Sequence, residues 1–199
     1  MATETAKREI RFAELRALDQ APEQEGMVVE GRAVVYESPT VMWEYDGVKY
    51  YEVIARGALD GADMKDVPLK YNHSDHFMVL ARTRNKTLEL TTDDQGLTVR
   101  ATLADTTAGH DLYALIKRGD VDKMSFAFTV TEESYNQDTH TRTITKIKRL
   151  WDVSAVDTPA YADTSLSARD FYQATAEAER QAAEAARERR QRLILRTYC

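Results

Sequence analysis

Between residues 27 and 156 the chain is a succession of short alternating or β-branched runs, each closed by Asn, Asp, Gly or Pro. That pattern restricts it to a sheet-based fold. Residues 27–36 (MVVEGRAVVY) and 48–55 (VKYYEVIA) are rich in the side chains that fit a pleated, half-buried surface. Residues 67–71 (VPLKY) run straight into Asn72-His73-Ser74. Residues 79–84, 87–92 and 96–103 form a meander, parted by Asn85-Lys86 and by Asp93-Asp94-Gln95-Gly96, residue types that tolerate left-handed backbone. Residues 123–133 alternate clearly: Met124, Phe126, Phe128 and Val130 point one way, and Ser125, Ala127 and Thr129 the other. Asn136-Gln137-Asp138 turns the chain, and residues 141–156 return. About eight or nine strands are expected, and so many normally close into a barrel or sandwich.

Helical signals are fewer. Thr107 is placed to cap a helix over residues 108–118, with Leu112, Leu115 and Ile116 on one face and Gly119 as its stop. After Ser167 the composition shifts to Ala, Glu and Arg with no Gly or Pro, which predicts a long, solvated or partly disordered helical tail. Glu and Arg recur there at i,i+3 and i,i+4 spacing, without a leucine heptad. Its apolar end, Leu193-Ile194-Leu195, is suited to docking. Residues 7–18 carry Ile10, Phe12, Leu15 and Leu18, a spacing that fits either the start of a strand or a short amphipathic helix closed by Ala21-Pro22-Glu23. The expected organisation is an N-terminal extension (1–26), a mainly-β domain of α+β class (27–167) and a helical or disordered tail (168–199).

At 199 residues and net charge −6, the chain accommodates one domain and lacks the basic footprint of a nucleic-acid binder. Its single cysteine, Cys199, precludes an internal disulfide and suits a reducing compartment. The polar start MATETAKREIRF has no apolar signal core, and no apolar stretch is long enough to span a membrane.

Two histidines, His73 and His76, lie in NHSDH just past a short strand. Read as metal ligands, with Asp75 between them, they lack the third and fourth partners a site needs. Read as an acid–base site, a histidine at a strand end can present its imidazole into a cleft, where proton affinity near neutrality suits proton transfer. Read plainly, they are polar loop residues. Ser125 is either a small residue on a sheet wall or a nucleophile; a nucleophile needs a base in reach and a third group to orient that base. Asp152 and Asp157, in WDVSAVDTPAY, are the candidates for that group or else turn-capping carboxylates.

Three segments, KYNHS (70–74), KMSFAF (123–128) and WDVSAVDTPAY (151–161), resemble the three motifs of the phage prohead protease family, in the same order. The run from Gly31 to Tyr36, the IARGAL turn at 54–59 and the helix before the serine strand are similar too, so the resemblance covers about residues 27–166. It implies a β-barrel like that of herpesvirus assemblin, flanked by a few helices. It implies a serine endopeptidase in which Ser125 is nucleophile, His73 general base and Asp152 the third member, with Asp157 ranked second. No cofactor or metal is implied. The implied partners are the major capsid protein or a scaffold protein as substrate, the chain itself through autoproteolysis, and further copies as a homo-oligomer, with no nucleic acid or membrane. The implied location is the host cytoplasm, inside the assembling prohead. Ala127 stands where relatives often have glycine. The rival readings are a non-catalytic capsid-assembly barrel and a metal-dependent hydrolase built on His73 and His76.

Overall fold

The computed structural model describes residues 8–18, 26–76, 78–157 and 166–197, with side chains omitted at 166–169 and 195–197. Its elements make two sheets and two helices. The larger sheet has the order β1 (Arg8–Glu14), β10 (Lys123–Asn136), β11 (Thr141–Val156), β5 (Val48–Ile54), β4 (Thr40–Tyr45); β6 (Pro68–Tyr71) joins it beside β11, and β7 (Ala81–Arg82) beside β6. The smaller sheet is β2 (Arg16–Ala17), β3 (Val28–Val35), β9 (Gly96–Thr102), β8 (Leu88–Asp93). Mainly-β architecture is therefore observed, but the expected barrel is not: among the described residues the two sheets do not close on one another. They pack face to face instead. Gly31 of β3 marks the close approach, since a Cβ there would meet Glu14 O at 2.3 Å and Met124 Sδ at 2.6 Å.

The long hairpin of β10 and β11 organises the molecule. β11 is 16 residues long, and its outer edge is occupied in turn by β5 over Thr141–Ile144 and by β6 over Val153–Ala155, both in parallel. Parallel partners cannot come from a tight turn, so sequence-distant segments are drawn to one strand. Met124, Phe126, Phe128, Val153 and Ala155 point into the core with Val29, Val34, Leu69, Leu97 and Val99. α1 (Thr107–Arg118) packs its Leu112 and Ile116 on this core. Its cap is Thr106 rather than Thr107: the Thr106 hydroxyl accepts from Gly109 N–H, and Gly119 (φ 84°) ends the helix as expected.

Other differences have physical reasons. The strand expected over 79–84 shrinks to β7, because the chain enters a 3-10 turn at Thr83–Asn85. β4 was not legible behind Pro39. Residues 8–17, within the expected N-terminal extension, supply β1 and β2 and so belong to both sheets. The Pro22 turn and the Thr158-Pro159-Ala160-Tyr161 part of the third motif lie outside the described residues.

The tail is a helix, α2 (Leu166–Thr197), and its early part is docked rather than solvated. Tyr172 and Ala176 are buried against Met42 and Tyr50, and Glu179 accepts hydrogen bonds from the hydroxyls of Tyr135 and Tyr50. Leu193 and Ile194 are exposed. The Leu195 side chain lies outside the described set.

Beneath α2 sits a buried ionic cluster. Arg11 grips Glu52 through two bonds of 2.5 Å and Glu9 at 2.7 Å, while Arg142 bonds Glu9, Glu52 and Glu133 and lies over the Phe171 ring. It ties β1, β5, β10, β11 and α2 together. Removing one partner of such a cluster strands buried charge. Arg142→Met is therefore expected to lower unfolding free energy by about 3–5 kcal/mol, read from urea denaturation of the two proteins; a change within error would mean that Glu9 and Glu52 find other partners.

Candidate active site

The face of the larger sheet turned away from the core carries the polar side chains of β10 and β11. Ser125 stands opposite Ser154, and Ala127 opposite Asp152. The ladder slips between Ala127 and Phe128, which pair with Asp152 and Leu150 and leave Trp151 as the extra residue. Such a bulge re-aims side chains. Here Trp151 also reaches across, donating its indole N–H to Thr129 Oγ1 at 2.8 Å.

His73 arrives from β6. The chain turns at its end through two consecutive left-handed residues, Asn72 (φ 49°) and His73 (φ 53°). Non-glycine residues held there carry backbone strain that the surroundings must overcome. Asn72 N–H donates to Ala155 O, and the Asn72 side chain is held by Asp157, which also accepts from the Tyr71 hydroxyl at 2.7 Å. The His73 N–H donates to Ser154 Oγ at 3.1 Å. This turn swings the imidazole back over β11.

The result is a continuous line. Nε2 of His73 lies 2.7 Å from Ser125 Oγ, and Nδ1 lies 2.5 Å from Asp152 Oδ1. A carboxylate only accepts, so Nδ1 carries the proton and Nε2 accepts from the serine hydroxyl. Ser154 Oγ donates to the same carboxylate oxygen at 3.2 Å, and Arg8 of β1 pairs with the other, Oδ2. Ser125 and Asp152 have 0% and 1% of their surface exposed. Burial pushes the His73 imidazole down, to about 4, and the positive charges of Arg8 and Lys70 act the same way.

Of the residues singled out in the sequence, Ser125, His73 and Asp152 are thus brought together. Asp157 is not among the contacts of the imidazole; it braces the turn that presents it. His76 is an exposed loop residue whose N–H donates to Ser74 Oγ. Among the described residues no group of three or more His, Cys, Asp or Glu side chains is placed to hold a metal ion. Sequence reading missed Ser154 and Arg8. Ser154 was within reach, since a residue two positions from Asp152 on a strand shares its face. Arg8 carried no local signal.

The description "Caudovirus prohead serine protease" belongs to a family model that matches residues 13–178. No curated protein matches the chain. Among solved structures, that of the bacteriophage T4 capsid assembly protease, gp21, is similar with a TM-score of 0.47 and 14% identity, over 77% of this chain and 99% of that one. With most of its length matched by that model, the chain belongs to the Caudovirus prohead serine protease family.

Proposed function

We propose that this capsid-maturation serine protease cuts peptide bonds with Ser125 as nucleophile, His73 as general base and Asp152 as the group that orients the base. The carrying observation is the unbroken hydrogen-bond line from Ser125 through His73 to Asp152. As Ser125 Oγ attacks the scissile carbonyl, His73 Nε2 takes the hydroxyl proton. Asp152 holds the Nδ1–H tautomer and stabilises the imidazolium while it lasts. His73 then protonates the departing amine, leaving an acyl-enzyme. A water, deprotonated by the same nitrogen, releases the acid and frees Ser125. Ser125 is fully covered, with Phe12 opposite it in the ladder, so substrate entry requires side chains of this face to move aside.

The lowered His73 affinity sets the pH dependence. The imidazole works as a base only when neutral, so activity is lost as pH falls through its folded pKa. Asp152, at 2.5 Å, pulls toward the imidazolium and opposes the burial effect. The acid limb of kcat/KM is expected between about 4 and the ordinary 6.5. A limb at or above 6.5 would contradict the buried, arginine-flanked setting.

The proposed substrates are the scaffold segment of the major capsid protein, or a separate scaffold protein, and the chain's own tail after about Ser167. For the tail, the span beyond Arg180 is the accessible part, because Tyr172, Ala176 and Glu179 are docked. The action is placed inside the assembling shell, and no described helix is long and apolar enough to cross a membrane. The test incubates purified protease separately with the cognate capsid precursor and scaffold, and follows all chains by intact mass. Discrete shortening of one precursor and of the protease itself is the expected result. Precursors and protease that all keep full mass in assembling particles would overturn the substrate assignment.

A further inference from the structure

The serine-protease chemistry described above needs three side chains, yet a fourth, charged one enters the site from the far end of the chain. β1 runs antiparallel to β10 with Arg8 opposite Thr129, Ile10 opposite Ala127 and Phe12 opposite Ser125. Opposite residues of a ladder share a face, so Arg8 projects on the side of the sheet that carries Ser125 and Asp152. Its Nη2 pairs with Asp152 Oδ2, the oxygen that His73 does not use. Asp152 is buried to 1% exposure, whereas the Arg8 side chain is 40% exposed.

This arrangement has two consequences. A carboxylate anchored at one oxygen alone is free to turn about its Cβ–Cγ bond. Anchored by His73 and Ser154 at Oδ1 and by Arg8 at Oδ2, it is held in the plane that aims Oδ1 at the imidazole. A buried carboxylate also needs compensating charge to remain ionised, and the guanidinium supplies it while His73 is neutral. We propose that Arg8 is a positioning residue for Asp152, and that the N-terminal strand β1 is thereby an integral part of the active site. The proposal rests on the triad reading above.

The charged groups facing His73 are Arg8 from β1, Asp152 from β11 and Lys70 from β6, with Asp75 paired to Lys70 at 2.5 Å and His76 in the loop beyond. Arg8 acts on the reaction in opposing senses. It aligns the acid, which raises the rate, and its charge disfavours the imidazolium, which holds the acid limb of the pH profile low. A merely structural arginine does neither.

The experiment compares wild type with Arg8→Met, Arg8→Gln and Arg8→Lys on the cognate capsid precursor. It records kcat, KM and the full pH profile, and titrates the His73 imidazole by NMR in a Ser125→Ala background. Arg8→Met is expected to lower kcat about 10²-fold, the scale of a misaligned catalytic group, with KM little changed. Its acid limb and the His73 titration move to higher pH. Arg8→Gln shows the same upward movement, and Arg8→Lys restores the low limb and part of the rate. Should Arg8→Met fail to fold, the Gln and Lys variants decide by the same criteria. The Arg8 proposal is overturned by unchanged kcat and an unmoved limb, or by equal rate losses in all variants with His73 titrating as in wild type. Cleavage that persists in Ser125→Ala would instead overturn the triad reading, an outcome separate from either.

Discussion

Ser125→Ala is expected to lower kcat on the capsid precursor by about 10⁶-fold while leaving the fold intact. The magnitude is that of losing a nucleophile whose partners act as one unit. The fold survives because position 125, near the start of β10, is fully buried between β1 and β11, where a methyl group fits the wall at the cost of the single hydrogen bond accepted by His73 Nε2. The His73 ring keeps its bond to Asp152. The residual rate reflects substrate binding and whatever stabilises the oxyanion. Kinetics on purified protein, with the thermal midpoint of both variants as control, checks this. A loss of tenfold or less in a folded variant would place the nucleophile elsewhere.

Asp152→Asn is expected to cost about 10⁴-fold in kcat. An amide at this site no longer enforces Nδ1–H, because its NH2 group can donate to Nδ1 and drive the proton to Nε2, where the base is needed. The amide also withdraws the negative charge that steadies the imidazolium. Arg8 exchanges its carboxylate partner for a neutral amide oxygen, which holds it less firmly. Asp157→Asn provides the contrast. It keeps an acceptor for the Tyr71 hydroxyl and touches the base only through the Asn72 turn, so its loss is expected to be far smaller. Measured side by side, equal losses at 152 and 157 would contradict the assignment of the acid.

How much of this was legible in the sequence differs by element. The β10–β11 hairpin announced itself, because the large side chains of Met124, Phe126 and Phe128 alternate with the small ones of Ser125 and Ala127, although both faces are buried over this stretch. The three site residues came from motif resemblance, since nothing local says that a turn after β6 will carry His73 onto β11. β1 was ambiguous for a physical reason. Its inward side chains are Glu9 and Arg11, matched to Glu52 and Arg142 in the ionic cluster, while Ile10 and Phe12 are half-buried on the active-site face. A hydrophobicity pattern reads that strand inside out. The open edges of the sheets were equally hidden, because whether end strands such as β1 and β4 find further partners depends on long-range pairing that no local pattern encodes. The docking of α2 rests on Tyr172 and Glu179 finding Tyr50 and Tyr135, contacts across more than the length of the hairpin.

Cleavage through Ser125 is open to direct chemical test. The most direct measurement treats active protease with a serine-directed phosphonylating reagent and follows residual activity and intact mass together, with peptide mapping of the product. Activity is expected to fall in step with a single adduct that maps to Ser125, and Ser125→Ala is expected to take up none. Inactivation accompanied by an adduct on another residue, or undiminished cleavage with Ser125 fully modified, would contradict cleavage through Ser125.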